Sequence, residues 1–310
     1  MSGIAIAPEF RFLQLNDLHL SSPVSGSAHP SFAGANERGA WLIDALRRDP
    51  LVADVDFVLG MGDYVHGGSP ERLEADVRHF RELMAPLRRE FFPVLGNCDI
   101  DGLGNAGVFS AAFELDDLSY SFERGGIRFV MLHNGDSGGS APGPYDDREG
   151  WLRETLEAYA DTPKIICCHV PLVPMRDPAV LPESLDTVAW RCRAPAILDL
   201  VERHSASILA VLSGHLHLSG MVCTRAIHHV TVAGTASFPS DYGLYSVYAD
   251  RIDVELKQLP HHLLNEDTDL HGRPRRERDF TDDAHRTHIE YVMGAYDERR
   301  FVIPFKSLPR

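Results

Sequence analysis

The chain has 310 residues, 44% of them hydrophobic and 24% charged, a mixture that fits an ordinary soluble protein and leaves room for one large α/β domain or two small ones. Its 45 acidic and 30 basic side chains give a formal net charge of -15, which excludes a broad basic face for nucleic acid or for an anionic membrane. A phosphorylated small molecule is not excluded, because bound cations reverse the potential inside a single pocket.

Along the chain, short β-rich apolar runs alternate with amphipathic ones. Phe10–Leu15 reads as the first buried strand, and Arg38–Arg48 has the spacing of a helix. A strand over Val55–Leu59 leads to a helix over Pro70–Arg88, whose proline suits the first turn. Phe91–Leu95 and Ile127–Leu132 read as strands, Glu149–Ala160 as a helix and Ile165–Cys168 as a strand. Pro195–His204 opens like another proline-capped helix and runs into a strand at Ile208–Leu212. Met221–Thr224, Val230–Val232, Leu244–Tyr248 and Ile252–Leu256 then follow as strands joined by turns. This order predicts a layered β structure covered by helices.

The composition shifts near Leu259, where a His-, Arg- and Asp-rich stretch precedes a predicted helix over Thr281–Gly294 and an apolar run, Phe301–Phe305. Residues 1–258 are therefore expected to form the main domain. Residues 259–310 form an appendage that packs on it or on a second subunit, the latter giving a homo-oligomer. A partly disordered end is the competing expectation for Asn265–Asp279. The five cysteines, Cys98, Cys167, Cys168, Cys192 and Cys223, are odd in number and irregular in spacing. Cys167 and Cys168, adjacent inside an apolar run, predict buried free thiols, and the set predicts a reducing compartment. No basic segment followed by an apolar one opens the chain, and no apolar stretch reaches the roughly 20 residues of a membrane helix. The expectation is a cytoplasmic protein without membrane contact.

The informative residues each follow a predicted strand, where side chains can converge at the carboxyl ends of a sheet. Asn16-Asp17-Leu18-His19 follows the first strand, Gly62-Asp63 the second and Gly96-Asn97-Cys98-Asp99 the third. Later strands lead into Cys168-His169 and Gly214-His215-Leu216-His217. Taken singly, each has a plain reading: Asp17 caps a helix, Gly62-Asp63 and Gly96-Asn97 are ordinary turns, and His169 is a satisfied core histidine. His215 and His217 are stronger as a pair, since residues two apart in extended chain point the same way. As an ordered set the residues are far more specific than any one of them.

That ordered set resembles the calcineurin-like metallophosphoesterase superfamily, whose blocks are Asp-x-His, Gly-Asp, Gly-Asn-His-Asp/Glu, a later His and Gly-His-x-His. The resemblance runs from the first strand to the strands after His217. It implies a four-layer α/β/β/α sandwich with two metals at the carboxyl ends of the strands. It also implies a ligand set: Asp17, His19 and His217 for the first ion, Asn97, His169 and His215 for the second, and Asp63 bridging both. The donors agree independently. Imidazole, carboxylate and amide oxygen suit manganese, iron, zinc or cobalt, with manganese or iron favoured, while magnesium avoids histidine-rich sites. Two such ions, roughly 3.5–4 Å apart, would clamp the phosphoryl oxygens, and the step expected from the resemblance would be attack on phosphorus by a hydroxide that bridges them.

One departure bears on the chemistry. Many family members carry histidine where this chain has Cys98, and some small phosphodiesterase-like members resemble it in having Gly-Asn-Cys-Asp. A thiol is a weaker proton donor than imidazolium, so the catalytic candidates beside the metals are Cys98, Asp99 and His66. The alternative for Cys98 is simple packing. His133–Asp147 and Leu172–Arg191 are the expected substrate loops, with Arg176 a candidate for phosphate and Phe238, Tyr242 and Tyr245 for stacking on a base. Arg176 as a solvated charge and the aromatics as core residues are the plainer alternatives.

The reading favoured is hydrolysis of a phosphodiester in a small substrate, a nucleotide being one candidate. A phosphomonoesterase or nucleotide pyrophosphatase on the same centre comes next. A metal-bound interaction scaffold with weak turnover is the alternative outside enzymes, and the complete ligand set counts against it.

Overall fold

The first strand, β1 (Phe10–Leu15), divides the molecule. Leu13 and Leu15 turn to one side and pack with helices, while Phe10 and Phe12 turn to the other and meet a second sheet. The computed structural model describes residues 7–23, 32–66, 69–100, 106–134, 148–185, 195–264 and 280–305.

Beside β1 run β2 (Phe57–Gly60) and β3 (Glu90–Pro93), all three parallel. Parallel neighbours need crossovers, and these are α1 (Ala35–Arg48) with the short α2 (Pro50–Ala53), then α3 (Pro70–Met84). After α4 (Gly107–Phe113) comes a hairpin of β4 (Tyr120–Arg124) and β5 (Ile127–Met131), turned by Gly125 and Gly126 at φ 56° and 75°. The chain continues through α5 (Arg148–Ala158), β6 (Lys164–Cys167), α6 (Leu181–Leu185), α7 (Pro195–Arg203), β7 (Ile208–Ser213), β8 (Gly220–Thr224) and β9 (Ile227–Thr231). It returns to the first sheet with β10 (Asp241–Val247) and β11 (Arg251–Gln258), then ends in α8 (His288–Met293), α9 (Tyr296–Arg299) and β12 (Arg300–Pro304).

Two six-stranded sheets result, ordered β12-β11-β10-β1-β2-β3 and β4-β5-β6-β7-β9-β8. Between them lies an aromatic-rich core: Phe12 stacks on Tyr245 at 4.5 Å and meets Phe129 edge-on at 5.5 Å. Outside the first sheet, Leu42, Leu46, Leu73 and Phe80 of α1 and α3 cover Leu13, Leu15 and Val58. Outside the second, Leu152, Leu156, Leu200 and Val201 of α5 and α7 cover Val130, Ile166 and Val211. This is the four-layer α/β/β/α sandwich.

The predicted strands fall within a few residues of the observed ones. The edge strand β4 and the helix α4 carry no such signal, because β4 is half-exposed along its length and α4 is a seven-residue helix. The helix expected over Thr281–Gly294 is also shorter. Asp282 accepts from the backbone of Ala284 and His285, at 3.1 and 2.7 Å, holding a turn that competes with helix. The helix starts only where Thr287 and Glu290 form a capping box, and it stops at Gly294.

The described part of the tail packs on the body. β12 pairs antiparallel with β11, and Tyr291 and Val292 of α8 share a core with Val173, Met175, Leu216 and Leu218. Arg299 holds the buried Asp241 through two hydrogen bonds of 2.7 and 3.0 Å. His285 sits between the carboxylates of Asp282 and Glu298, each 2.7 Å away. Burial lowers its pKa, but the two carboxylates outweigh burial and raise it. The charged stretch Asn265–Asp279 lies outside the described residues.

His229 on β9 gives the fold a pH dependence. It is 2% exposed, and neither ring nitrogen has a hydrogen-bond partner among the described residues. Burial, then the nearby His228, brings its pKa down from the ordinary 6.5 to about 4. Between those values the unfolded chain binds a proton that the folded protein refuses. Its contribution is complete above the unfolded value and is lost as pH falls toward the folded one, by about 3 kcal/mol. Urea unfolding of wild type and His229→Leu at about pH 7.5 and about pH 4.5 should show a smaller acid loss in the variant.

Candidate metal centre

The loops that follow β1, β2, β3, β6 and β7 meet at one end of the sandwich, and backbone hydrogen bonds set their spacing. The amide of Asp17 donates to Gly62 O at 2.9 Å, and those of Leu18 and His19 both donate to Asp63 O, at 2.9 and 3.1 Å. Gly214 N donates to His169 O at 3.0 Å. The loops after β2 and β3 touch backbone to backbone: a Cβ on Gly62 would stand 2.6 Å from Gly96 Cα, and one on Gly96 would stand 2.2 Å from Asp63 N. Only glycine fits at either place.

The same contacts hold the backbone where side chains are disfavoured. Ten described non-glycine residues have φ in the left-handed region, and five of them are Asp17, His19, Asp63, His215 and His217. Such strain persists only where the surrounding structure over-determines it, and it concentrates at functional sites. Here it aims five polar side chains at one another.

Two groups form. In the first, His19 Nε2 lies 3.2 Å from His217 Nε2, and Asp17 Oδ1 lies 3.4 Å from His217 Nε2 and 3.8 Å from His19 Nε2. In the second, His169 Nε2 lies 3.0 Å from Asn97 Oδ1, and Asp63, His169 and His215 place their ligand atoms within 4.8 Å of one another. Asp63 stands between the groups: Oδ1 is 3.5 Å from His169 Nε2 and Oδ2 is 3.6 Å from His19 Nε2. All seven residues that the sequence singled out as ligands converge.

Their orientation is fixed from behind. Tyr245 Oη donates to Gln14 Oε1 at 2.8 Å, Gln14 Nε2 to Asn16 Oδ1 at 3.1 Å, and Asn16 Nδ2 to Asp17 Oδ2 at 2.6 Å. His215 N also donates to Asp17 Oδ2, at 2.8 Å. His169 Nδ1 donates to Met61 O at 2.6 Å, so in the neutral ring the Nε2 lone pair faces Asn97 and Asp63. His217 Nδ1 lies 3.0 Å from Ser237 Oγ, and Asn134 Oδ1 accepts from the amides of His169 and Val170 at 3.0 and 2.9 Å. Phe32 stacks on His19 with ring centres 4.3 Å apart. Gln14, Ser237 and Asn134 carry no spacing signal in the sequence as orienting residues; Asn134 lies in the expected substrate loop His133–Asp147, and Asn16 in the block Asn16-Asp17-Leu18-His19.

The catalytic candidates divide. Cys98 and His66 are half-buried, and their ligand atoms lie within 4.8 Å of each other and of His19. Asp99 is turned away from both groups: its carboxylate accepts from the amides of Asp63, Tyr64, Val65 and Gly96 at 2.7, 2.9, 3.3 and 2.9 Å. It holds the turn that presents Asp63. Arg176 is neither solvated nor open to a phosphate, since its guanidinium is buried and donates to Tyr291 O, Met175 O and Ser219 O at 2.7, 2.7 and 2.6 Å. Phe238, Tyr242 and Tyr245 are core residues. Residues 135–147 and 186–191 of the two expected substrate loops lie outside the described residues.

The electrostatics favour cations. Burial raises the Asp17 carboxyl, but His19 and His217 outweigh it and hold the group well below its ordinary range. Asp63 is likewise lowered against its burial, by His169 first and then His19. Burial works against the charge of His169, yet Asp63 brings its pKa up to about 9. Burial and then Asp63 push Asp99 up to about 7 and the Cys98 thiol well above its usual value. Divalent cations fit this donor set. Asp17 Oδ1 is buried without a hydrogen-bond partner and faces two imidazole nitrogens, and carboxylate, imidazole and amide oxygen together suit a transition metal.

The model of the family described as "Calcineurin-like phosphoesterase" matches residues 10–219. The chain belongs to this family. The matched span contains both groups and stops just before β8, leaving β8 to β12 outside it. Among solved structures, this calcineurin-like phosphoesterase is similar to a dimetal phosphatase from Danio rerio, at 15% identity over 81% of this chain and 96% of that one, with a TM-score of 0.60. It is also similar to purple acid phosphatase PPD1 from yellow lupin (Lupinus luteus) seeds, at 14% identity over 80% and 51% of the chains and a TM-score of 0.56. GAP50, the anchor in the inner membrane complex of Plasmodium, matches at 13% identity over 80% and 84%, with a TM-score of 0.55. At such identities the likeness is one of fold. No curated protein matches the chain. The family supports metal-dependent phosphoester hydrolysis, and no described helix is long and apolar enough to cross a membrane.

Replacing Asp99 by alanine strips the acceptor from four loop amides. Asp99→Ala should destabilise the fold by about 1–3 kcal/mol or more, read as a lower urea midpoint.

Proposed function

We propose that this calcineurin-like phosphoesterase hydrolyses phosphodiesters at a centre for two divalent cations. The observation that carries the reading is the Asp63 carboxylate, whose two oxygens address different histidine groups. In this reading Asp17, His19 and His217 hold the first cation, Asn97, His169 and His215 the second, and Asp63 both. Two bound cations of the manganese or iron type supply neutralisation of the phosphoryl oxygens and acidification of a water.

The chain's own residues do the rest. Asn16 and the His215 amide occupy Asp17 Oδ2 and leave Oδ1 for the site. The Met61 carbonyl fixes the His169 ring. Cys98 and His66 stand together beside His19, where they can pass a proton to the departing oxygen. A thiol in a place where many family members have histidine makes leaving-group protonation weak, and this favours diesters with good leaving groups. The net charge of -15 offers no extended nucleic-acid surface. The substrate is thus a small phosphorylated molecule, a nucleotide included, and the reducing setting that suits the four free cysteines among the described residues is the cytoplasm.

Protein reconstituted separately with manganese, iron and zinc should hydrolyse an activated phosphodiester faster than the matching monoester. A monoester preference would move the assignment to a phosphomonoesterase. Asp63→Ala should bring turnover to background and lower the retention of both ions, while His217→Ala and His169→Ala should each weaken one; turnover retained in Asp63→Ala overturns the two-cation reading. Cys98→His should raise the rate on alkyl diesters relative to aryl ones, by up to about 100-fold. An equal leaving-group dependence in wild type, Cys98→His and Cys98→Ala would remove Cys98 from proton transfer.

A further inference from the structure

Described residues gather three metal-type ligand atoms in three places, and two of these are the groups around Asp17 and Asp63. The third joins His19, His66 and Cys98, within 4.8 Å of one another. His19 is buried while the other two are half-buried, so this group lies on the more accessible side of the centre. The His19 and His66 rings stand 5.7 Å apart, and Phe32 packs against both, at 4.3 and 5.5 Å. Cys98 is anchored by its amide, which donates to Asp63 Oδ1 at 2.7 Å, and Asn97 Nδ2 lies 3.3 Å from its sulfur.

We propose that Cys98, His66 and His19 form a second, softer cation seat that overlaps the Asp17/His19/His217 seat through their shared histidine and selects zinc or cobalt over manganese. One thiolate and two imidazoles are a zinc-type donor set, with a fourth position left for water, whereas manganese favours carboxylate oxygen. Binding displaces the thiol proton to solvent. Because His19 serves both groups, a cation in one seat disturbs the other, and the identity of the metal then decides how the centre is arranged. Only this overlap rests on the two-cation reading; the thiol seat stands on its own donors.

Cobalt is the probe, since a thiolate ligand gives cobalt(II) a near-ultraviolet charge-transfer band that imidazole and carboxylate ligands do not. The full chain titrated with cobalt should develop this band. Cys98→Ser should lose it, and Cys223→Ser, which alters the exposed thiol on β8, should keep it. Added zinc should bleach the band and manganese should not. His66→Gln should weaken cobalt binding by about tenfold or more, which keeps the test decisive if Cys98→Ser does not fold. Absence of a band at saturating cobalt, a band untouched by both Cys98→Ser and His66→Gln, or bleaching by manganese overturns the proposal. Hydrolysis of an activated diester by the manganese-loaded wild type is measured alongside. Turnover without a cobalt band removes the thiol seat alone; a band without turnover removes the phosphoesterase reading and leaves the seat.

Discussion

A carboxylate shut away from solvent needs positive charge or hydrogen bonds at each of its oxygens, and Asp63 receives both from several loops at once. Its Oδ1 accepts from Cys98 N and faces His169, and its Oδ2 faces His19. Meanwhile its carbonyl receives the amides of Leu18 and His19, and its own amide is held by Asp99. Moving any one of these loops would strand a buried charge, an outcome that costs several kcal/mol. The left-handed turns at Asp17, His19, Asp63, His215 and His217 are tolerable for that reason.

The sandwich makes this convergence cheap to arrange. Parallel strands end at the same level, so β1, β2 and β3 of one sheet and β6 and β7 of the other deliver their loops to one place. The aromatic layer between the sheets fixes their separation. A polar thread, Tyr245 to Gln14 to Asn16, then runs through that layer to Asp17. Every member is buried and bonded, which is the condition under which a polar network in a core rigidifies it.

The sequence reveals whatever has a period or a fixed partner. β1 to β3 and β5 to β7 are apolar runs of strand length, and each ligand follows one of them, so the strands and the site are legible together. Gln14 and Ser237 are not, because a side chain that orients a ligand is chosen by a distance of about 3 Å across the fold and leaves no spacing along the chain. Arg176 shows the same limit from the other direction. A loop arginine suggests solvent or phosphate, yet three carbonyls from two distant segments and its own neighbour consume it. The tail was legible as a change of composition but not as the strand that closes the outer edge of the first sheet, since β12 is half-exposed and pairs with a strand more than 40 residues earlier.

The placement of Arg176 has a mechanical meaning. One guanidinium joins the segment after His169 to the carbonyl of Ser219, two residues past His217, and to the carbonyl of Tyr291 on α8. The loops carrying those two histidines are thus tied through one buried side chain to α8, and a shift of any of the three costs a hydrogen bond of that guanidinium. Residues that lie outside the family match thereby brace the candidate metal centre, and the placement of its loops depends on more of the chain than the blocks that carry the ligand-type residues.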